Sequence, residues 1–384
     1  MTKCLTLPSL AMRIYKTSFM PKDTIYQLLG DVEMDIRQGY TGGAVDVYKT
    51  NNALVPGTLF DFAVRRFKKL YYYDFNSMYP FIMANFELPV GKPVKFTGDI
   101  LKIDPNAFGW FYCKITSPDN LEHPILQRKI PTKFGWRTIA ALGSWQDWIF
   151  SSSIENAIKH GYKIEVIRGY QFKKGNIFKS YVETMYNLRK QYPKSNPLNL
   201  IAKLLMNSLY GKFGMSPELT KLLVYDTSTT EKLDEFMKAI EQNGENIKDF
   251  TKIGDFYTIL VPTVGNVKYD SELEMYHGMD INIAIAAAIT SLGRDLLSFF
   301  KNNPNFNLYY CDTDSAVIDR PLPAYMVGNE LGQLKLEHLI YRAIFLAPKV
   351  YALLMPNGQE VVKVKGLNHS PKPPGEAKAG ANDS

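Results

Sequence analysis

Asp312 and Asp314, at the tip of a predicted hairpin, constrain the fold of this chain more than any other feature. Residues 310–315 read YCDTDS between two apolar runs, which predicts strands over 306–311 and 315–319 joined by a tight turn. Two carboxylates one residue apart repel each other unless a divalent cation binds between them, and Mg²⁺ prefers carboxylate and phosphate oxygens. Because ordinary turns also favour Asp and Thr, this motif alone fits a metal site and a structural turn equally well.

Asp74 ends another predicted strand and strengthens the interpretation as a metal site. Residues 67–75 read FKKLYYYDF, a buried strand rich in aromatic residues, and Pro80 is predicted to close the turn that follows. By itself, a strand-terminal Asp followed by Asn, Ser and Pro is typical of an ordinary turn. Together with Asp312 and Asp314 it gives three carboxylates from two elements, which is what a two-metal phosphoryl-transfer site requires.

A predicted helix over residues 197–213 carries a third group of polar side chains. Lys203, Asn207 and Tyr210 follow an i, i+4, i+7 spacing, so they share one helix face. This face suits a nucleoside triphosphate, since the ammonium can bind phosphate and the phenol ring can stack on the base. A solvated helix face is the ordinary alternative, and for Lys203 alone it is the more common one. Gly211 would let another backbone approach closely.

The rest of the chain contains further helical and strand-like segments and no internal repeats. The predicted elements are an N-terminal segment ending in a turn at Tyr40-Thr41-Gly42-Gly43, short strands and loops over 90–150, helices over 176–191, 197–213 (capped by Asn196, with Pro197 first) and 280–301, an inserted hairpin region over 216–270, and a disordered tail from 371.

Composition favours a soluble, moderately basic protein. The chain has 384 residues, 46% of them hydrophobic, enough for a large core in two or more subdomains. Its formal net charge of +7 suits a polyanionic partner without establishing one. Three widely spaced cysteines fit neither a disulfide scaffold nor a zinc site and are typical of a reducing compartment. No signal peptide is recognisable, and the most apolar stretch, residues 281–289, is too short to span a bilayer, so we expect no membrane partner.

At these motifs the sequence resembles the family B DNA polymerases, and within them the protein-primed branch of some phages and linear mitochondrial plasmids. Residues 74–80 resemble the family's motif A, 203–211 its motif B and 310–315 its motif C, in the family order. Residues 40–43 resemble the YxGG element that joins proofreading and polymerising parts, and 349–351 the KxY element that holds the primer end. Residues 5–15 and motif A look most similar to the fungal mitochondrial plasmid members, which implies a mitochondrial location.

The resemblance implies an α/β (α+β) fold with a palm on an antiparallel sheet, helical fingers and a reduced thumb. It also implies a DNA-directed DNA polymerase that uses two Mg²⁺ ions, for which Mn²⁺ can substitute. The expected partners are primer-template DNA, dNTPs and a terminal protein that acts as primer.

Site roles follow from the same resemblance. Asp74 and Asp312 would be the principal metal ligands, Asp314 a weaker one, and Phe75 would add its backbone carbonyl. Tyr79 would be the gate that excludes a 2′-hydroxyl. The other implied residues are Ser77, Arg189, Lys190, Lys203, Asn207 and Tyr210 for the nucleotide, and Tyr40, Gly42, Gly43, Gly211, Lys349 and Tyr351 for the DNA.

The implied domain division places both insertions where this branch carries its terminal-protein regions. It reads 1–66 as a leading segment with the YxGG linker, 67–94 as palm with motif A, 95–175 as an insertion, 176–214 as fingers with motif B, 215–275 as a second insertion and palm, 276–348 as palm with motif C, 349–370 as the KxY element and thumb remnant, and 371–384 as a disordered tail.

Two departures from the family keep alternatives open. The segment before Tyr40 is too short for the family's 3′–5′ exonuclease, so we expect no proofreading, and the thumb is expected to be short. The chain could therefore be a truncated, inactive relic that at most binds nucleic acid. A binding module without catalysis ranks below this because it needs no paired carboxylates, and a reverse transcriptase is disfavoured because Thr313 separates the two aspartates of motif C.

Overall fold

The structure is a computed structural model in which α-helices and antiparallel sheets alternate along the chain. It describes residues 6–22, 24–28, 30–53, 67–133, 135–216, 218–220, 223–244, 247–254, 256–266, 269–270, 275–276 and 282–365. The predicted tail over 371–384 lies outside these residues, as does part of the leading segment.

Several helices begin where a polar side chain satisfies a free amide of the first turn. The Asn196 side chain accepts a hydrogen bond from the amide of Leu198, and Asn282 accepts one from Ile285. The helices are α1 (Leu7–Ser18), α2 (Gly30–Gly39), α3 (Met78–Asn85), α4 (Ser151–Lys159), α5 (Lys179–Gln191), α6 (Pro197–Phe213), α7 (Thr230–Asn243) and α8 (Ile283–Leu297). The predicted helices over 176–191, 197–213 and 280–301 are thus confirmed as α5, α6 and α8.

The strands form antiparallel ladders, most of them between segments that are distant in sequence. They are β1 (Val45–Val47), β2 (Leu70–Phe75), β3 (Leu88–Thr97), β4 (Gly109–Thr116), β5 (Gln127–Thr132), β6 (Gly135–Ala140), β7 (Ser144–Phe150), β8 (Lys163–Gly175), β9 (Glu218–Thr220), β10 (Leu223–Asp226), β11 (Ile247–Ile253), β12 (Tyr257–Asn266), β13 (Tyr269–Asp270), β14 (Met275–Tyr276), β15 (Leu308–Asp312), β16 (Ser315–Ile318), β17 (Leu334–Ile340), β18 (Arg342–Ala347), β19 (Val350–Leu354) and β20 (Glu360–Val364).

A five-stranded sheet in the order β1-β15-β16-β2-β17 positions the candidate site, and we call it the central sheet. Its β15–β16 hairpin and the strand β2 confirm the predicted strands around Asp312 and Asp74. A four-stranded sheet (β3-β8-β4-β7) lies mostly within the predicted insertion, although β3 begins before residue 95, and a three-stranded sheet (β18-β19-β20) follows the central sheet in the chain.

Helix α8 is the apolar centre of the molecule. It contacts α2, α3, α4, α6 and β3, and its side chains from Ile283 to Gly293 are all buried. Residues Ile283–Phe300 have the length and mean hydropathy (1.5) of a membrane-spanning helix, yet 78% of this stretch is buried inside the protein. Small alanine side chains allow such close packing on every side, which is typical of the central helix of a packed domain.

Three sequence predictions differ from the structure. Pro80 lies in the first turn of α3 instead of closing a turn, because proline is tolerated at a helix start, where its missing amide has no helical partner. Residues 40–43 form no turn and lead directly into β1, which pairs with β15. The region over 216–270 contains the helix α7 as well as strands, since Thr229 caps a helical segment there.

Truncating Ile289 in α8 should destabilise the fold strongly. Its side chain is fully buried, and Ile→Ala at such a site costs about 2–5 kcal/mol. Ile158→Ala in α4 is the matched control, because that side chain is 53% exposed. Urea denaturation followed by circular dichroism compares the two variants. Equal midpoints would contradict the central role of α8.

Candidate active site

An open cleft of about 1030 Å³ lies between the end of the central sheet and the helices α5 and α6. Most of the sequence-predicted site residues line it: Asp74, Phe75, Ser77, Tyr79, Arg189, Lys190, Lys203, Asn207, Tyr210 and Asp314. The others are described by the structure but lie outside this lining: Tyr40, Gly42, Gly43, Gly211, Asp312, Lys349 and Tyr351.

Asp74, near the end of β2, and Asp314, in the turn before β16, both line the cleft. The pairing of β2 with β16 sets Asp74 opposite Ser315, and the amide of Phe75 donates to the carbonyl oxygen of Asp314 (2.8 Å). Burial and the charge of Asp314 raise the pKa of Asp74 to about 7, and the ammonium of Lys203 partly opposes the rise. Burial and the charge of Asp312 likewise raise the pKa of Asp314 to about 6. The fold therefore holds two carboxylates together against their repulsion.

The donor set around these carboxylates fits Mg²⁺. Among the described residues, no group of three or more His, Cys, Asp or Glu side chains is arranged to hold a metal. Mg²⁺ does not require such a group, because it usually binds through one or two carboxylates, several waters and the phosphates of a substrate. Asp74 and Asp314 supply the two carboxylates, and a divalent cation would remove the repulsion that raises their pKa values.

Asp312 points away from the cleft. Its carboxylate accepts hydrogen bonds from Nζ of Lys349 at 2.5 and 2.8 Å and from the hydroxyl of Tyr310 at 3.3 Å. Residues two apart share a face in a regular strand, but Thr313 between the two aspartates has a left-handed backbone with φ of 56°. That reversal separates Asp312 from Asp314, so the structure brings Asp314 to Asp74 and Asp312 to Lys349.

Among the charged residues of the cleft that sequence reasoning missed are Lys335 and Glu337 on β17. In the register of β17 with β2, Lys335 lies opposite Asp74, and its Nζ donates to Oε1 of Glu337 (2.6 Å). Glu337 adds to the rise in the pKa of Asp74, and Lys335 opposes it. Nothing local in the sequence marks these residues, because only the pairing of distant strands brings them to the site.

The α6 face and the start of α3 meet across the cleft. The rings of Tyr79 and Tyr210 are 4.6 Å apart at 47°, and burial raises the pKa of Tyr210 to about 12. Ser77, with a left-handed backbone (φ 54°), precedes α3, so the chain leaves β2 and turns Tyr79 toward α6. A Cβ on Gly293 of α8 would lie 3.1 Å from the Tyr79 ring, so the glycine makes room for this ring.

A basic residue of α5 reaches across the mouth of the cleft. Nζ of Lys190 donates to Oε2 of Glu330 (2.7 Å), and the Tyr186 hydroxyl donates to the same oxygen (3.2 Å). The Lys190–Glu330 pair is exposed, so its contribution to stability is small. Asn199 joins α6 to the end of α5 by donating to the backbone oxygens of Arg189 and Tyr192, each at 2.9 Å.

The remaining predicted residues lie beside the β15–β16 hairpin or on α6. Tyr351 is 8% exposed, with its ring 5.3 Å from that of Tyr310. Gly43 packs against Thr313, and a Cβ on Gly211 would meet nothing within 4 Å, so the surface of α6 is open there. The hydroxyl of Tyr40 lies beside Gly214, 2.9 Å from the position that a Cβ on that glycine would take.

Comparisons with known proteins agree with this architecture. A family profile described as DNA polymerase type B, organellar and viral, matches residues 1–298. A "Probable DNA polymerase" of Ascobolus immersus is 34% identical over 374 residues, and one of Neurospora intermedia is 33% identical over 384. These alignments cover 95% and 96% of this chain but 28% and 36% of the relatives, so the chain spans about a third of their length.

The fold is similar to that of a solved structure of Phi29 DNA polymerase complexed with primer-template DNA. The match covers 95% of this chain and 61% of that one, with a TM-score of 0.66 and 19% sequence identity.

Replacing Asp74 by Asn should stabilise the metal-free protein at alkaline pH. The folded pKa of about 7 lies above the ordinary value of about 3.9, so the native state loses stability as the pH rises between these values, and the loss is absent below both. The variant lacks this ionisation, so its melting temperature should exceed that of the wild type at pH 8, and the difference should shrink toward pH 5.

Scanning fluorimetry in EDTA measures the difference, with Asp119→Asn in an exposed turn as the control. Added Mg²⁺ should then raise the melting temperature of the wild type more than that of Asp74→Asn. A variant that melts at or below the wild-type temperature at pH 8 would show that ionisation of Asp74 does not destabilise the native state.

Proposed function

Because the chain belongs to the type B DNA polymerases of organelles and viruses, we propose that it catalyses template-directed addition of dNTPs to a primer 3′-hydroxyl. The observation that carries the proposal is the pair Asp74 and Asp314 on the wall of one cleft that also contains Lys203 and the two tyrosines Tyr79 and Tyr210, whose rings are in contact. In the reaction the 3′-oxygen forms a bond to the α-phosphorus, the bond to the bridging oxygen breaks, and pyrophosphate leaves with the electron pair.

The carboxylates hold the divalent cations. When two Mg²⁺ ions (or Mn²⁺) are bound, they favour loss of the proton from the 3′-hydroxyl and neutralise charge on the leaving pyrophosphate. Asp74 and Asp314 would be the side-chain ligands, with the backbone carbonyl of Phe75 as a further oxygen. Asp312 is then a positioning residue, since its carboxylate is engaged by Lys349.

Cationic side chains of α5 and α6 bind the triphosphate. Lys203 lies on the cleft wall near both aspartates and lowers the pKa of each, so its ammonium is placed to bind phosphate oxygens beside the cations. Arg189 and Lys190 line the same cleft from α5, and Lys190 must leave Glu330 to reach the nucleotide. The protein thus contributes position and charge.

The two tyrosines select the nucleotide. Tyr210 would stack on the incoming base, and Tyr79, held beneath it by the close approach of Gly293, would occupy the space of a 2′-hydroxyl. Asn207 shares the α6 face with Tyr210, and Ser77 sets the direction of α3. These contacts would favour a deoxyribonucleotide.

The central sheet would form the palm, α5 and α6 the fingers, and the three-stranded sheet the primer-binding edge. Lys349 and Tyr351 would bind the primer backbone. Lys349 contacts Asp312, two residues before the proposed metal ligand Asp314, so it lies close to where the primer end would be. Tyr40, Gly42, Gly43 and Gly211 would lie along the template path. Primer-template DNA and dNTPs are the proposed partners.

We further propose protein-primed replication of mitochondrial plasmid-type DNA, with a terminal protein as the primer. The support is the organellar and viral family and the fungal relatives. The four-stranded sheet β3-β8-β4-β7 would form most of the first terminal-protein region, since β4, β7 and β8 lie within the insertion over 95–175.

A primer-extension assay with Mg²⁺ tests the polymerase, and the two aspartates of motif C should separate within it. Asp314→Asn should lower kcat on the order of 10³-fold, because it removes a cation ligand and with it several kcal/mol of transition-state stabilisation. Asp312→Asn should chiefly raise the Kd for primer-template, because Lys349 loses the carboxylate that holds its ammonium in place. Equal losses of kcat would contradict this division of roles, and an inactive wild type that still binds DNA would favour the relic.

Tyr79→Val should admit ribonucleotides. With the ring removed, kcat/KM for a ribonucleotide should rise relative to its deoxy form by on the order of 10²-fold, because the steric exclusion of the 2′-hydroxyl is lost. Single-nucleotide incorporation with matched dNTP and NTP measures the ratio. Tyr325→Val is the control, since that ring is 82% exposed outside the cleft. An unchanged ratio in Tyr79→Val would exclude the gate.

A further inference from the structure

Arg294, on α8, holds the segment that precedes β1. Its Nη1 donates to the carbonyl oxygens of Thr41 (2.7 Å) and Gly42 (2.8 Å), and its Nη2 donates to Oγ of Ser291 (2.8 Å). A planar guanidinium fixes both the distance and the direction of its partners. Two successive carbonyls are therefore fixed relative to α8, the most buried helix of the described chain.

Residues 43 and 44 of the same segment contact Thr313, in the turn between Asp312 and Asp314. The amide of Thr313 donates to the carbonyl oxygen of Ala44 (2.7 Å). A Cβ on Gly43 would lie 2.7 Å from Cγ2 and 2.9 Å from Oγ1 of Thr313, closer than real Cβ atoms approach other heavy atoms. Residues 41–44 and the turn are thus in direct contact through one hydrogen bond and one close packing contact.

The turn needs this support because of its backbone. Thr313 is β-branched and has φ of 56°, a conformation that such residues rarely adopt unless surrounding contacts hold it. This conformation sends Asp312 toward Lys349 and Asp314 toward Asp74. If Thr313 relaxed to an extended backbone, Asp314 would leave the cleft wall.

We propose that Arg294 is a positioning residue for the carboxylate of Asp314. It does not line the cleft and acts through residues 41–44, which hold Thr313 in its left-handed conformation. The consequence for activity rests on the proposed function, whereas the consequence for the turn does not. Arg294 also lies near Tyr79: burial raises the pKa of that hydroxyl, and the charge of Arg294 partly opposes the rise. An effect through the gate must therefore be separated from an effect through the turn.

Arg294→Lys and Gly43→Ala disturb the contact from opposite sides. The lysine keeps the charge but lacks the planar fork, and the alanine methyl displaces Thr313. Each should lower kcat by about 10²-fold, as a displacement near 1 Å at a reacting centre does. KM for dNTP should stay within about twofold and the dNTP/NTP ratio should not change. Because both act on one contact, the double variant should lose less than the product of the single losses.

Amide hydrogen exchange measures the stability of the turn independently of polymerase activity. Peptides covering residues 308–318 should exchange faster in both variants, because the Thr313 amide loses its partner, while peptides of β17 should not change. If the wild type extends no primer, the proposed function fails, yet the exchange result still decides the role of Arg294.

Gly169→Ala is the control for general damage. Its Cβ would lie 2.6 Å from the carbonyl oxygen of Trp110 in the β3-β8-β4-β7 sheet, so it should lower the melting temperature while the turn exchanges as in the wild type. Wild-type exchange and wild-type kcat in Arg294→Lys would overturn the proposal. A selective change in the dNTP/NTP ratio would overturn it too, in favour of a role through Tyr79.

Discussion

The antiparallel pairing of β2 with β16 is the constraint on which the site depends. It sets Asp74 opposite Ser315 and thereby beside Asp314, at the edge of the central sheet that faces the helices. Because side chains alternate along a strand, a shift of one residue would turn Asp74 to the other face. The register is fixed by buried neighbours, since Leu70 and Tyr73 on β2 and the residues of β16 are all buried.

The pairing also places two partly buried carboxylates close together, and neighbouring lysines partly offset the cost of ionising them. Burial raises the pKa of both carboxylates, the charge of Asp314 adds to the rise for Asp74, and the charge of Asp312 adds to the rise for Asp314. Lys203 and Lys335 oppose that cost from α6 and β17, on two sides of the pair. Among the described residues, neither lysine lies within ion-pair distance of Asp74 or Asp314, so both carboxylates are left available to bind cations.

Local signals in the sequence predicted much of this fold. The helices α5, α6 and α8 and the β15–β16 hairpin follow from caps, periodicity and apolar runs, which act over a few residues. Glu337 and Lys335 were missed because their place in the site depends on β17 pairing with a strand far away in sequence. Pro80 was misread because a proline that closes a turn and one that begins a helix look alike locally.

The directions of Asp312 and Asp314 also depend on a contact with a residue that is distant in sequence. Spacing alone puts Asp312 and Asp314 on one face, and only the contact of Thr313 with the distant Ala44 reverses that expectation. The reversal has an electrostatic benefit. Burial and the charge of Asp312 raise the pKa of Asp314, and Lys349 opposes that rise. Because Lys349 pairs with Asp312, the negative charge next to Asp314 is neutralised on the other side of the turn. One turn can therefore present a ligand to cations on one face and join the three-stranded sheet on the other, provided that its strained backbone is held.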